Sequence, residues 1–208
     1  MTTADYARAQ RLLARRDPVI GALIRRYGAC GLAGSQHTDP FRALIRAIVS
    51  QQLSTKAAET ISGRLEGLFG GRAPSAAEIA ALPVEQLRAV GLSGQKTAYL
   101  KDLSQRVLDG SLDLDTLGHL SDDEVIAALT QVKGIGRWTA EMFLMFRLHR
   151  PDVLPVGDLG IVKAMQKAYR LRKTPSPSRM TRIGETWRPY RSIACWYLWA
   201  SLDNKPLD

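Results

Sequence analysis

Asp158 stands in the string Leu154-Pro155-Val156-Gly157-Asp158-Leu159-Gly160-Ile161, where turn residues give way to an apolar pattern at helical spacing. A carboxylate at a helix start accepts backbone N–H bonds and is favoured by the dipole. Taken by itself the residue reads as an N-cap. Upstream, Val132-Lys133-Gly134-Ile135-Gly136 separates two helical patterns. Glycines let a backbone approach a ligand with no Cβ in the way, and the N–H groups that open the next helix form an anion site. The turn lacks the G-x-x-x-x-G-K-[ST] spacing and follows no strand, so a nucleotide-binding loop fits poorly. A helix–hairpin–helix that grips a DNA phosphate fits better, and an ordinary αα-turn has the same outline. The third group is Trp187-Arg188-Pro189-Tyr190-Arg191-Ser192, followed by Trp196, Tyr197 and Trp199. The fourth tryptophan, Trp138, follows the glycine turn. Clustered indoles serve as core or, beside a basic surface, as a stacking pocket.

In combination these strings resemble the helix–hairpin–helix DNA glycosylases, and within them the 3-methyladenine DNA glycosylase II group, often called AlkA-like. The resemblance rests on V-K-G-I-G-R-W-T-A-E-M-F, P-V-G-D, W-R-P-Y-R-S-x-A-x-x-Y-L-W and the upstream Ile48-Val49-Ser50-Gln51-Gln52-Leu53-Ser54, in that family's order and spacing, over roughly residues 38–201. It implies that Asp158 is the catalytic aspartate and that Gly134 and Gly136, flanked by Lys133 and Arg137, grip phosphate. It implies that the carbonyls of Thr130, Val132 and Ile135 hold a monovalent cation, Na or K, and that catalysis needs no cofactor. Gln52 falls where a side chain wedges into the gap left by a flipped nucleotide. Trp138, Met142 and Trp199 match positions that line the base pocket, and Lys96 and Tyr197 are left without a role. Lys133 replaces the hairpin's usual proline, which puts its stiffness in question. Trp138 stands where bifunctional relatives place a Schiff-base lysine, and an indole cannot form that imine. The implied enzyme is a monofunctional glycosylase of alkylated purines, 3-methyladenine and 7-methylguanine, in base excision repair. Its form is the compact one, without the N-terminal sheet domain of longer bacterial members.

Helices must position these residues. Asp39-Pro40 caps a pattern through Phe41, Leu44, Ile45, Ile48 and Val49. Ser54 caps the next, which stops at Gly70-Gly71, and Ser75–Glu78 and Ser121–Glu124 are capping boxes. Pro83 opens a short helix that Gly91 ends, and another runs from about Gln95 to Leu108. Further helices are expected over Arg137–Leu148 and near Asp158–Tyr169. After the Pro/Ser segment Thr174–Ser178, two more follow, the last starting near Pro189. No stretch alternates like a strand. The expectation is an all-α protein of ten to twelve helices in two lobes, 38–150 with the hairpin motif at about 122–148, and 1–37 with 151–208, with the active-site cleft between them. Gly91–Ala98 faintly echoes Gly134–Ala140, each a glycine turn between short helices.

Composition narrows the classes. The chain has 208 residues, 45% apolar and 24% charged, enough for a real core and far from a disordered tail. No apolar run approaches the ~18 residues of a spanning helix. The first residues, Met1 to Asp17, lack the apolar core of a signal peptide, so a cytoplasmic, nucleoid-associated protein is expected. Two cysteines, Cys30 and Cys195, are too few for a disulfide framework, a four-thiolate zinc site or an iron–sulfur cluster. The net charge is +9. Residues 131–208 hold 14 basic and 6 acidic groups, +8, against 15 and 14, +1, for residues 1–130. A polyanion would dock on the C-terminal part. The expected partner is double-stranded DNA with alkylated bases, bound by a monomer, with no membrane. Two other readings stay open: a glycosylase for uracil, mismatched thymine or deaminated purines, and a non-catalytic helix–hairpin–helix module, for which a carboxylate at 158 would have no use.

Overall fold

In the computed structural model, which describes residues 2–34 and 39–202, every long element is an α-helix, and no strand occurs among the described residues. The twelve α-helices among those residues agree with the sequence pattern. No helix among them is long and apolar enough to cross a membrane. The described residues fall into two compact units, 39–143, and 2–34 with 144–202. The expected junction at 37/38 lies outside the described residues, and the second junction falls at 143/144.

The unit of residues 39–143 contains α3 (Pro40–Ser50), α4 (Thr55–Gly67), α5 (Ala76–Ala81), α6 (Val84–Ala89), α7 (Gly94–Leu108), α8 (Asp122–Leu129) and most of α9 (Arg137–Phe146). Its caps are those the sequence signals: Asp39 accepts from Arg42 N at 2.8 Å, Ser54 from Ala57 N, and both capping boxes close. Leu44, Ile48, Leu65, Ile79, Leu100 and Leu103 are fully buried and form the core around α7. Helix α9 stops two residues short of the expected Leu148. Both glycine turns of the internal echo use left-handed backbone, Gly91 at φ +106° and Gly134 at φ +80°.

The other unit packs α1 (Thr3–Arg16), α2 (Pro18–Tyr27), α10 (Leu159–Ala168), α11 (Pro177–Gly184) and α12 (Arg191–Ala200). The Pro/Ser segment is not purely a spacer, because Ser176 caps α11 and Pro177 is its first residue. Three tryptophans here take separate roles. Trp187 is fully buried, Trp196 lies against Gly31, and Trp199 is half-buried near Asp158. A buried carboxylate organises this unit. Asp17 Oδ1 caps α2 through Val19 N and Ile20 N (2.9 and 3.1 Å), and Oδ2 accepts from Tyr169 OH (2.6 Å) and Trp187 Nε1 (2.9 Å). Burial, reinforced by Asp17, pushes the Tyr169 hydroxyl well above the usual phenol range. Tyr169 ends α10, so the helix that Asp158 opens is anchored at its far end by a satisfied polar network.

Candidate active site

Asp158 is the N-cap of α10, with an extended backbone (φ −77°, ψ 119°). Its Oδ1 accepts from Ile161 N at 2.7 Å, so the capping reading is correct as far as it goes. The same oxygen accepts from Trp199 Nε1 at 2.9 Å, and the indole of Trp199 stacks on Phe146 with centroids 5.8 Å apart. Two residues that the sequence assigned to different jobs, carboxylate and base pocket, are thus directly bonded. A carboxylate held by a backbone amide and an indole N–H is oriented as well as charged. Gly160 makes the arrangement possible. A Cβ there would lie 2.9 Å from Asp158 Oδ1 and 3.1 Å from the Trp199 indole nitrogen.

The segment before Asp158 is fixed by the late aromatic motif. Ser192 Oγ donates to Arg150 O (2.7 Å) and accepts from Val153 N (2.9 Å). Asp152 pairs with Arg191 (2.8 Å) and Arg188 (2.7 Å). The string Trp187–Ser192 therefore straps the 150–153 loop to the start of α12, which sequence reading did not foresee. Tyr197 is core rather than pocket. It is fully buried, donates to Gly28 O at 2.6 Å and accepts from Gln10, and burial raises its hydroxyl to about 12.

The hairpin and the turn at Gln52 belong to the other unit. Gly134 is required twice, by its left-handed φ and by Tyr99 of α7, whose ring would meet an added Cβ at 2.1 Å. Gly136 is different, because nothing lies within 4 Å of its absent Cβ and it is exposed. Its lack of a side chain leaves space rather than relieving strain. Lys133 donates its amide N–H to Asp102 Oδ2 at 2.9 Å, a bond that a proline there could not make. Burial pushes the Asp102 carboxyl up, but the Lys133 amide and the Arg106 guanidinium outweigh it and hold the carboxyl below the usual range. Stiffness that a proline ring would supply comes here from a side-chain clamp. The Lys133 ammonium, 3.8 Å from Asp102 Oδ1, is largely exposed, and Arg137 pairs with Glu141 at 3.0 Å while most of its side chain faces solvent.

Gln52 has φ +58°, a left-handed conformation uncommon outside glycine, and is exposed. Its neighbours hold that turn. Gln51 Nε2 donates to Gly134 O at 2.8 Å, and Lys96 Nζ donates to Val49 O and Gln51 O at 2.7 Å each. Burial lowers the Lys96 ammonium below its ordinary value. Lys96 is thus a buttress of the turn at Gln52, and Gln51 links that turn to the hairpin. The carbonyl of Val132 accepts from Ile135 N at 3.1 Å, and those of Thr130 and Ile135 take no backbone bond among the described residues. Each oxygen keeps a lone pair available to a ligand. On α9, Trp138 is exposed and Met142, one turn on, half-buried. Four of the seven large apolar side chains that stay exposed among the described residues are Leu53, Trp138, Phe146 and Leu159, each at or beside a residue named above.

The model of the HhH-GPD superfamily of base excision DNA repair proteins matches residues 45–189. The chain belongs to that superfamily. DNA-3-methyladenine glycosylase 1 of Schizosaccharomyces pombe is 40% identical over 163 residues, which are 77% of this chain and 72% of that protein. The S. pombe 3-methyladenine DNA glycosylase Mag1, solved in complex with abasic DNA, superposes with a TM-score of 0.85 at 34% identity, covering 97% of this chain and 99% of that one. The DNA-3-methyladenine glycosidase of Bacillus halodurans gives 0.84 at 37% identity over 93% and 88%. The HhH-GPD match runs from the core of α3 to the proline after Trp187, and so contains the hairpin and Asp158 but not Trp199.

Proposed function

We propose that this HhH-GPD chain is a monofunctional DNA glycosylase that hydrolyses the N-glycosidic bond of alkylated purines, 3-methyladenine and 7-methylguanine, in duplex DNA. The observation that carries the reading is the Asp158 carboxylate, bonded to the Trp199 indole at the start of α10. Hydrolysis breaks the C1′–N bond, whose electron pair leaves with the base while positive charge gathers on the deoxyribose. A preoriented carboxylate stabilises that charge and needs no reorganisation as it forms. Water adds to C1′, its proton passes to the carboxylate or to solvent, and an abasic site remains. N-alkylated purines are cationic or already good leaving groups, so no strong general acid is required. An indole face adds about 0.5–2 kcal/mol of cation–π attraction for a cationic base, and Trp199 and the exposed Trp138 and Met142 are the side chains assigned to it. Gln52, projected by its left-handed backbone, fills the gap left by the extruded nucleotide. The amides around Gly136 take a phosphate, with Lys133 and Arg137 beside them. A monovalent cation on the Thr130, Val132 and Ile135 carbonyls would supply positive charge there. The protein acts as a monomer in the cytoplasm.

The test is release of free bases from methylated duplex DNA, identified by chromatography, by the parent and by Asp158→Asn. The amide can still cap α10, so melting should change little, whereas single-turnover release should fall by about 10²–10³. Near-parental release by the folded variant would remove Asp158 from the reaction. Cleavage of the DNA backbone by the parent would overturn the monofunctional reading.

A further inference from the structure

A concavity lies in the same unit as Asp158, between α1 and the segment that leads into α12. Helix α1 presents Arg8, Arg11, Arg15 and Arg16, all exposed, around a groove of about 520 Å³. Its floor is Leu12, Pro189 and Tyr190. Arg16 donates to the Arg188 carbonyl, which ties the floor segment to α1 and fixes one wall. Carboxylates nearby in sequence are already committed. Asp152 holds Arg188 and Arg191, Glu185 holds Arg188 at 2.9 Å, Asp17 is buried in its cap, and Asp5 closes on Thr2. Among the described residues Arg8, Arg11 and Arg15 form no ion pair, and no acidic side chain lines the groove.

The lining is also selective in kind. All four cations are arginines, whose planar forks take carboxylate oxygens in pairs. Arg8, Arg11 and Arg15 follow i, i+3, i+7 spacing and share one face of α1, successive members roughly 5–6 Å apart. An extended peptide advances about 3.3 Å per residue, so carboxylates two residues apart fall in step with that row. The apolar floor has no use for the convex sugar–phosphate edge of a duplex, which would touch only the rim. It suits one inserted apolar side chain, in the way an interface pocket surrounds an anchor.

We propose that this groove docks an acidic segment of a partner protein, with an apolar or aromatic side chain on the Leu12–Tyr190 floor and alternate carboxylates on Arg8, Arg11 and Arg15. Pro189 and Tyr190 lie in the strap that holds the 150–153 loop, but none of the lining residues is assigned to DNA or to the flipped base, so docking there would bring a partner to the enzyme without occupying the groups assigned to catalysis.

The probe is a fluorescein-labelled peptide of about twelve residues with alternating Asp and one central Phe, titrated with the full chain by anisotropy. Binding should weaken by about tenfold or more when the Asp residues become Asn, and severalfold when Phe becomes Ser. The double variant Arg11→Glu/Arg15→Glu, both at exposed positions, should stay folded, with only the small loss in melting temperature expected when a cation leaves the last turn of α1. It should lose at least about tenfold in peptide affinity while base release stays within about twofold and affinity for a short undamaged duplex falls only by the severalfold that the lost net charge exacts at a distance. Equal binding of the Asp and Asn peptides would overturn the proposal, as would undiminished peptide binding by the double variant. Displacement of the peptide by the duplex, with a matching loss of duplex affinity in the double variant, would make the groove a DNA surface and overturn it as well.

Discussion

At the scale of single residues, the proposed chemistry turns on how one carboxylate oxygen is shared. Asp158 Oδ1 serves Ile161 N and Trp199 Nε1 together, and Gly160 gives both room. This sets up a test in which two effects have opposite signs. At an open helical position, replacing Gly by Ala stabilises by up to about 1 kcal/mol. In Gly160→Ala the methyl would instead meet the capped carboxylate and the stacked indole, and neither can retreat without breaking a bond. We expect no rise in melting temperature and a loss of at least about tenfold in single-turnover base release, because a misplaced catalytic group is costly in rate. Higher stability with full activity would mean that the carboxylate–indole bond is incidental. Sequence reading placed Asp158 and Trp199 among the site residues but gave no sign of their contact, since 41 residues separate them. Phe146 and Gly160 carry no signal that a single sequence exposes.

At the scale of elements, the hairpin is set by groups outside it. Tyr99 fills the space over Gly134, Asp102 holds the Lys133 amide, and Gln51 bonds the Gly134 carbonyl. Lys133→Pro restores the residue that the family resemblance leads one to expect, yet it should destabilise this chain. It removes a hydrogen bond to a charged group, worth about 1.5–3 kcal/mol, and returns about 0.4–1 kcal/mol through a stiffer unfolded chain. The difference lowers the melting temperature by a few degrees in a chain of this size, at about 2–4 °C per kcal/mol. A raised melting temperature would show that the Asp102 clamp contributes nothing. The clamp also fixes a pH dependence. The folded-state pKa of Asp102 lies below its unfolded value, so its stabilisation is complete above the ordinary carboxylate range and disappears as pH falls through the lowered value. Acid titration of melting should therefore show a loss at low pH that Asp102→Asn lacks.

At the scale of the whole molecule, charge is distributed more unevenly than along the chain. The unit formed by residues 1–36 and 144–208 contains 18 Lys and Arg against 7 Asp and Glu, +11, and residues 37–143 contain 11 against 13, −2. The six arginines of residues 1–36 join the basic C-terminal part in space. The hairpin, in contrast, lies in the slightly acidic unit, so the phosphate grip proposed for it would depend on aimed amides rather than on bulk charge. Two measurements separate these contributions. Affinity for undamaged duplex should fall with salt in proportion to the phosphates neutralised. Gly136→Asp places a carboxylate in the open space beside the hairpin amides, and should weaken binding at every salt concentration while leaving melting unchanged, because nothing lies within 4 Å of that position. Unchanged affinity would show that the hairpin does not hold phosphate.

What the sequence determined by itself was local. Helix starts followed from Asp39-Pro40, Ser54, Ser75 and Ser121, whose side chains reach amides three residues on, and the glycine turns followed from positions that demand left-handed backbone. These are short-range interactions, and four or five residues contain all the information they need. The ordered motifs carried the family and the candidate aspartate for the same reason, since each motif is a contiguous string. Only the tertiary structure decided which oxygen Trp199 touches, why lysine works at 133, that Lys96 props the turn before Gln52, and that Tyr197 is core. Each of those depends on packing between residues 31 to 169 positions apart, and one sequence records the partners but not their pairing.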